Sequence, residues 1–293
     1  MRVTLIHNSG AGDGVSDPQE LVDLLRDHGH SVHYRSSKDP ALAQALTWPA
    51  DLIVTAGGDG TVSKVLKQLS ADAPPVGILP LGTANNIAVS LGICGAQDAL
   101  IEGWESAKVG HFDIGTVDSA DGTRSVVEGI GIGAFAAAMR KLDDITGPPE
   151  EQIARARAAI IRAMETKKPR TVELDVDGRR ATLDVIFAEI TNISRIGPKI
   201  NLAPWAEPND GKAEVVYATE EKREALVNWL KEGDWGVQPP VECLSGREIT
   251  VLTAHKRLRV DDDLDVSVAA LPLTLDMSGR KATILLPRGP HEA

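Results

Sequence analysis

Over the first hundred residues, short apolar runs alternate with stretches whose apolar positions recur at helix spacing. Val3-Thr4-Leu5-Ile6-His7 reads as a buried strand, and Leu21, Leu24, Leu25 and His28 share one face of the helix behind it. Ser16, Asp17 and Pro18 open that helix, Gln19 completes a capping box, and Gly29 stops it. The pattern predicts strands at 31–35, 52–56 and 76–79, and helices at 41–46, behind residue 61 (Val62, Val65, Leu66, Leu69) and at 87–91. Strand and helix in strict alternation predict a parallel sheet with helices on both faces.

After Trp104 the texture changes. Strands are predicted at 109–117 and 124–132, the second ending in Gly129, Gly131 and Gly133. Helices are predicted at 134–144 and 150–165, separated by Gly147-Pro148-Pro149, with Ile153, Ala156, Ile160 and Met164 as the buried stripe of the second. Residues 171–176, the turn Asp177-Gly178 and residues 181–191 read as a hairpin. Short strands at 213–219, 247–252, 258–260 and 283–286 follow, with one helix at 220–231 in which Trp229, Leu226 and Leu230 pack inward. The expected fold class is α/β: an N-terminal doubly wound parallel sheet and a second, mainly antiparallel β domain. The expected boundaries are 1–108, rejoined by 277–293, and 109–276, with a cleft between the domains.

The formal net charge of −11 argues against nucleic acid as a partner, because phosphodiesters demand a basic face. Two cysteines, Cys94 and Cys243, are too few for a disulfide framework and suit a reducing cytosol. Met1-Arg2 runs straight into the first strand, so no targeting signal is expected. The longest apolar run, 266–275, is far short of the ~20 residues of a membrane span. The seven histidines share no zinc-like spacing and read as surface or satisfied core residues.

The candidate chemistry lies in three polar loops at predicted strand ends: Asn8-Ser9-Gly10-Ala11-Gly12-Asp13-Gly14, Gly57-Gly58-Asp59-Gly60-Thr61, and Pro80-Leu81-Gly82-Thr83-Ala84-Asn85-Asn86. In an open α/β sheet that edge is where ligands bind. A strand, a glycine turn and a helix N-terminus aim backbone N–H groups at one point, which makes a phosphate site. The glycines are expected to supply positive φ and room for a bulky anion.

The Gly-Gly-Asp-Gly-Thr turn and the Gly82-Thr83-Ala84-Asn85 loop together resemble the catalytic domain of the diacylglycerol kinase-like lipid kinases, especially the soluble bacterial branch. The resemblance covers most of the chain. It takes in Asn8-Ser9-Gly10, Phe112-Asp113-Ile114-Gly115, the strand 127–133 with Phe135, Pro204-Trp205-Ala206, Asp210-Gly211, and Val260-Asp261-Asp262-Asp263. NAD kinases and phosphofructokinases share the first turn, so the second loop and the acidic cluster favour the lipid kinases.

The resemblance implies an NAD kinase/phosphofructokinase-like first domain, a β-sandwich second domain, and transfer of the ATP γ-phosphate to a hydroxyl of diacylglycerol or a related long-chain lipid, with Mg²⁺. Asn8, Ser9, Gly10, Ser36 or Ser37, Gly57, Gly58, Asp59, Gly60, Thr61, Thr83 and Asn85 would hold the nucleotide. Asp59 would sit at the Mg-ATP, or alternatively tie up loop amides. Asp263, with Asp261 as companion, would be the base; a solvated acidic turn is the other reading. The Asp210 carboxylate and the Glu207 and Lys212 carbonyls would hold a structural Mg²⁺, against the alternative of a plain Asp-Gly turn. Three positions depart from the family: Asn86 where it has Asp, Asp262 where it has Gly, and Asp263 where it has Glu. Loss of the glycine is expected to remove a positive-φ turn. The implied setting is cytoplasmic, peripheral at the inner membrane face, with no transmembrane span and room for a homodimer. A kinase for NAD or another small molecule, and a nucleotide- or lipid-binding protein weakened in catalysis, stand as the alternatives.

Overall fold

The computed structural model describes every residue except 13–16, 141–146, 234–235, 255–257, 268, 270 and 288–293. The Ser16 cap, the end of the 134–144 helix and two of the seven histidines, His255 and His291, lie outside the described residues. The chain divides into two units, Met1–Phe112 with the chain from Lys281 onward, and Asp113–Arg280.

The first unit is built on β1 (Arg2–His7), β2 (Ser31–Ser36), β3 (Leu52–Gly57) and β4 (Val76–Pro80), ordered β2-β1-β3-β4 and all parallel. Ile284, from the returning C-terminal chain, pairs parallel with Val76. The helices are α1 (Pro18–Asp27), α2 (Leu42–Ala45), α3 (Asp59–Gln68), α4 (Asn86–Ser90) and α5 (Gln97–Gly103). Val3, Leu5, Leu52, Val54 and Ala56 form one core with Leu21, Val22 and Leu25 of α1 and with Ile101 and Trp104. Chain order reverses between β1 and β3, so the loops leaving those strands flank a topological switch point. At α1 the N-cap is Asp17. The Asp17 carboxylate accepts the Gln19 N–H at 2.8 Å, while the Gln19 side chain turns instead to Asp23.

The second unit contains β5 (Lys108–Ser119, entering from the first), β6 (Gly122–Val126), β7 (Gly129–Gly133), α6 (Ala134–Met139), α7 (Pro149–Thr166), β8 (Arg170–Val176), β9 (Arg179–Val185), β10 (Phe187–Thr191), β11 (Ala213–Ala218), α8 (Arg223–Glu232), β12 (Glu242–Gly246), β13 (Glu248–Thr253), β14 (Leu258–Val260), β15 (Asp263–Val266) and the start of β16 (Leu273–Leu286). One antiparallel sheet runs β12-β11-β10-β7-β14-β15; the other runs β16-β13-β8-β9, with β5 on β16 and β6 on β5. Ile130, Ile190, Val215 and Leu258 of the first share a core with Val172, Leu174, Ile249, Val251 and Leu273 of the second, which makes the unit a β-sandwich.

Two stretches expected to be single strands, 124–132 and 181–191, are each two strands that change sheets. Val185, Ile186 and Phe187 are all buried, so the apolar run continues across the break and hides it. At the other break, Gly129 has φ +151°, and a Cβ there would lie 1.9 Å from the Ile190 carbonyl oxygen. β16 likewise extends ten residues ahead of the predicted 283–286 strand.

Candidate active site

The three loops of the first unit meet. The Asn8 N–H donates to the Ala56 carbonyl at 2.9 Å, carrying the β1–β3 pairing one step past the strand end. Gly12 has φ +69°, and a Cβ on it would stand 2.5 Å from the Leu81 carbonyl oxygen. The Leu81 N–H donates to the Gly57 carbonyl at 3.0 Å. The third loop folds around Asn85, which takes the left-handed conformation at φ 54°. Its Oδ1 accepts the Gly82 N–H at 2.8 Å, and its Nδ2 donates to the Gly82 carbonyl at 2.7 Å.

Gly57, Gly58 and Gly60 do not take positive φ, contrary to expectation; Gly58 sits at φ −92°. Their missing side chains matter for contact. A Cβ on Gly57 would lie 2.5 Å from Thr61 Oγ1, whereas one on Gly60 would meet nothing within 4 Å.

Between the loops lies a cavity of about 290 Å³ lined by Asn8, Ala11, Ser37, Lys38, Gly58, Gly60, Thr61, Lys64 and Gly82. Four expected nucleotide contacts, Asn8, Gly58, Gly60 and Thr61, are in its wall. Ser9, Gly10, Ser36, Gly57, Asp59, Thr83 and Asn85 are not. Of the serine pair, Ser37 reaches the cavity, while the Ser36 hydroxyl accepts the Lys38 N–H at 3.2 Å and shapes the turn. Lys38 and Lys64 were not anticipated. Lys64 lies four residues after Gly60 on α3, hence on the same helix face, and its Nζ donates to the Ser37 carbonyl at 2.6 Å. Two lysines beside the first turn of a ten-residue helix give the cavity a positive edge, chemistry that suits an anion.

Asp59 faces the third loop. Its carboxylate accepts the Ile87 N–H at 2.8 Å. Burial raises its carboxyl pKa, opposed by hydrogen bonds from the Ile87, Asn86, Asp59 and Asn85 amides. This is the loop-tying arrangement, and it joins α3 to the start of α4.

In the second unit the acidic turn lies between β14 and β15. Asp261 is buried, its Oδ2 accepting the Val127 N–H and its Oδ1 the Glu128 and Gly129 N–H groups, each at 2.9 Å. Those bonds bend the chain out of β6 and into β7. The left-handed residue of the turn is Asp261, at φ 51°; Asp262 does not take positive φ. Asp263 is about half exposed, and its Oδ2 pairs with Arg124 at 2.9 Å.

Around the expected structural ion site, Asp210 Oδ1 accepts the Lys212 N–H at 2.9 Å, and the Glu207 carbonyl accepts the Asp210 N–H at 3.4 Å. Gly211, at φ +73°, donates its N–H to the fully buried Asp113 at 2.6 Å. Asp113 thus anchors the turn, a role its place in a recognised motif did not disclose. Among the described residues no group of three or more His, Cys, Asp or Glu could hold a metal.

A glycine-walled, lysine-edged cavity at the switch point of a doubly wound sheet has the chemistry that phosphoryl transfer needs. Residues 2–117 match the diacylglycerol kinase catalytic domain, and residues 128–285 match the YegS C-terminal NAD kinase beta sandwich-like domain. The chain is 31% identical over 238 residues to a Klebsiella pneumoniae (strain 342) protein named probable lipid kinase YegS-like, covering 75% of this chain and 76% of that one. It is 27% identical over 232 residues to the probable lipid kinase YegS of Salmonella newport (strain SL254), covering 74% of each. A crystal structure of a diacylglycerol kinase from Bacillus anthracis str. Sterne shares the fold, with a TM-score of 0.72 at 17% identity over 100% of this chain and 98% of that one. The chain belongs to the diacylglycerol kinase-like family of bacterial lipid kinases, and it is a kinase. No described helix is long and apolar enough to cross a membrane.

Proposed function

We propose that this kinase transfers the γ-phosphate of ATP to a hydroxyl of diacylglycerol or a related long-chain lipid, meeting its acceptor at a membrane surface without spanning it. The observation that carries the reading is the glycine-walled, lysine-edged cavity in a chain of this family. Open space beside Gly60, where a Cβ would meet nothing, fits a phosphate group.

In this reading Gly58, Gly60 and Thr61 direct amides and a hydroxyl at phosphate oxygens, while Lys38 and Lys64 offset their charge. Asp59 and Asn85 are positioning residues, holding α4 and the Gly82 peptide in place. Bound Mg²⁺ would supply further charge neutralisation at the phosphates. The Asp210 carboxylate and the Glu207 and Lys212 carbonyls are the hard oxygen donors a second, structural Mg²⁺ needs, in a turn whose own hydrogen bonds already close it. Asp263 takes the proton of the acceptor hydroxyl as the new P–O bond forms, and Asp261 positions it.

The test is an assay of the purified protein with ATP and Mg²⁺, offering dispersed short-chain diacylglycerol and NAD in parallel. Phosphorylated lipid is the expected product, and none should form with EDTA present. Phosphorylated NAD without phosphorylated lipid would overturn the proposal.

A further inference from the structure

We infer that the buried Glu189–Arg259 pair is a positioning device for the acidic turn, and through it for Asp263; the inference rests on the base role proposed above for Asp263. Glu189 of β10, Gly131 of β7 and Arg259 of β14 stand in register across three neighbouring strands. The Arg259 guanidinium donates to Glu189 Oε2 at 2.8 Å, with side chains only 5% and 0% exposed. The pair passes over Gly131: a Cβ there would lie 2.6 Å from Glu189 Oε1 and 3.0 Å from Arg259 Nε. Glycine on the middle strand is therefore what lets the two outer residues meet.

A β-sandwich core does not need this pair. Two charges taken out of water are costly, and apolar side chains of similar volume often serve stability as well or better. The cost is greater here because Glu189 Oε1 and Arg259 Nε, both buried, have no hydrogen-bond partner among the described residues. What apolar residues could not supply is the second arm of the guanidinium, which donates to the Asp261 carbonyl at 2.9 Å. Arg offers that fixed fork and Lys does not. Asp261 is held in a conformation that residues with a side chain seldom adopt, gripped at its carboxylate by three amides and at its carbonyl by Arg259. Two residues on, Asp263 is held by Arg124, and the next carbonyl, that of Leu264, accepts from the Arg140 guanidinium. Three arginines and one Asp-amide cluster thus determine where the Asp263 carboxylate stands.

The experiment compares wild type, Arg259→Lys, the apolar double variant Glu189→Leu/Arg259→Met, and Asp263→Asn. Readouts are melting temperature, kcat and KM with ATP and dispersed short-chain diacylglycerol, and deuterium exchange at the amides of residues 127–129. The double variant removes both charges of the pair together, while the Asp261 carboxylate keeps its three amide donors, and it is expected to melt near the wild-type temperature. Its kcat should fall by about tenfold to a hundredfold, the scale of an ångström-level misplacement, with KM for ATP unchanged and faster exchange at residues 127–129. Arg259→Lys, keeping the charge but not the fork, should also lose kcat and amide protection. A folded double variant with wild-type kcat and protection overturns the inference alone, provided Asp263→Asn is inactive. Full activity in Asp263→Asn removes the base assignment and this inference with it.

Discussion

A Cβ added to Gly82 would stand 2.3 Å from the Cα of Gly58. The second and third loops therefore touch backbone to backbone, and no side chain fits between them. Gly82→Ala should part the loops, with an overpacking cost of about 1–3 kcal/mol. It should also abolish ATP binding. A thermal melt and titration calorimetry together check this, and wild-type affinity in the variant would refute the loop contact as the basis of the cavity.

Gly60 offers the opposite case. It lies in the first turn of α3 with ordinary φ and open space where a Cβ would point. Replacing glycine by alanine in a helix gains about 0.5–1 kcal/mol, so Gly60→Ala should melt slightly higher than wild type. If phosphate occupies that space, ATP affinity should fall at the same time. A gain in stability without a loss of affinity would place the phosphate elsewhere.

Asp59→Asn separates two roles for one carboxylate. The amide can still accept one N–H but not the set now gathered around the carboxylate. As a positioning residue, Asp59 should lose stability, by about 1–3 kcal/mol for hydrogen bonds to a charged acceptor, together with activity. Activity lost at an unchanged melting temperature would instead assign Asp59 to the metal-bound nucleotide.

The two cysteines should differ in reactivity at pH 8. Desolvation of the Cys243 sulfur, with a hydrogen bond from its thiol to Glu214 Oε2 at 2.9 Å and the charge of that carboxylate, pushes the thiol up to about 12. Because the thiolate is the nucleophile, iodoacetamide should modify exposed Cys94 well before Cys243, although both residues are exposed. Peptide mass spectrometry reads the order, and Glu214→Gln should narrow the gap.

Asp51 makes a pH-dependent contribution to stability. Hydrogen bonds from the Arg2 side chain and backbone lower its carboxyl pKa to about 2. A carboxyl group whose folded pKa lies below its unfolded value stabilises the protein above that unfolded value, and the benefit disappears as pH falls through the folded one. Asp51→Asn should be less stable than wild type at neutral pH, with the difference shrinking from about pH 4 and gone below about pH 2. Acid denaturation curves of the two proteins test the sign.

Much of the site was visible in residue order, because its parts are local. Each loop of the cavity is a contiguous run of glycine and polar residues at the end of an apolar strand, and the parallel sheet brings those ends to one edge. Lys64 could have been found by counting one helical turn from Gly60. Lys38 carried no comparable signal, since a lysine after two serines is ordinary surface composition. The strand breaks at Ile186 and after Val126 were hidden for a different reason. Both sheets of the sandwich bury apolar residues, so a strand can change sheets without interrupting the hydrophobic pattern.

The sequence by itself determined the alternation of strand and helix, the three glycine-bearing loops and the family, since these depend on periodicity and on short motifs whose atoms are chain neighbours. Only the tertiary structure decided that Asp59 grips α4, that Asp261 anchors the amides of residues 127–129, and that Arg259 reaches Glu189 over Gly131. In each case the partners are far apart along the chain. A carboxylate has no fixed partner until the fold chooses which backbone amides or guanidinium to bring within hydrogen-bond distance.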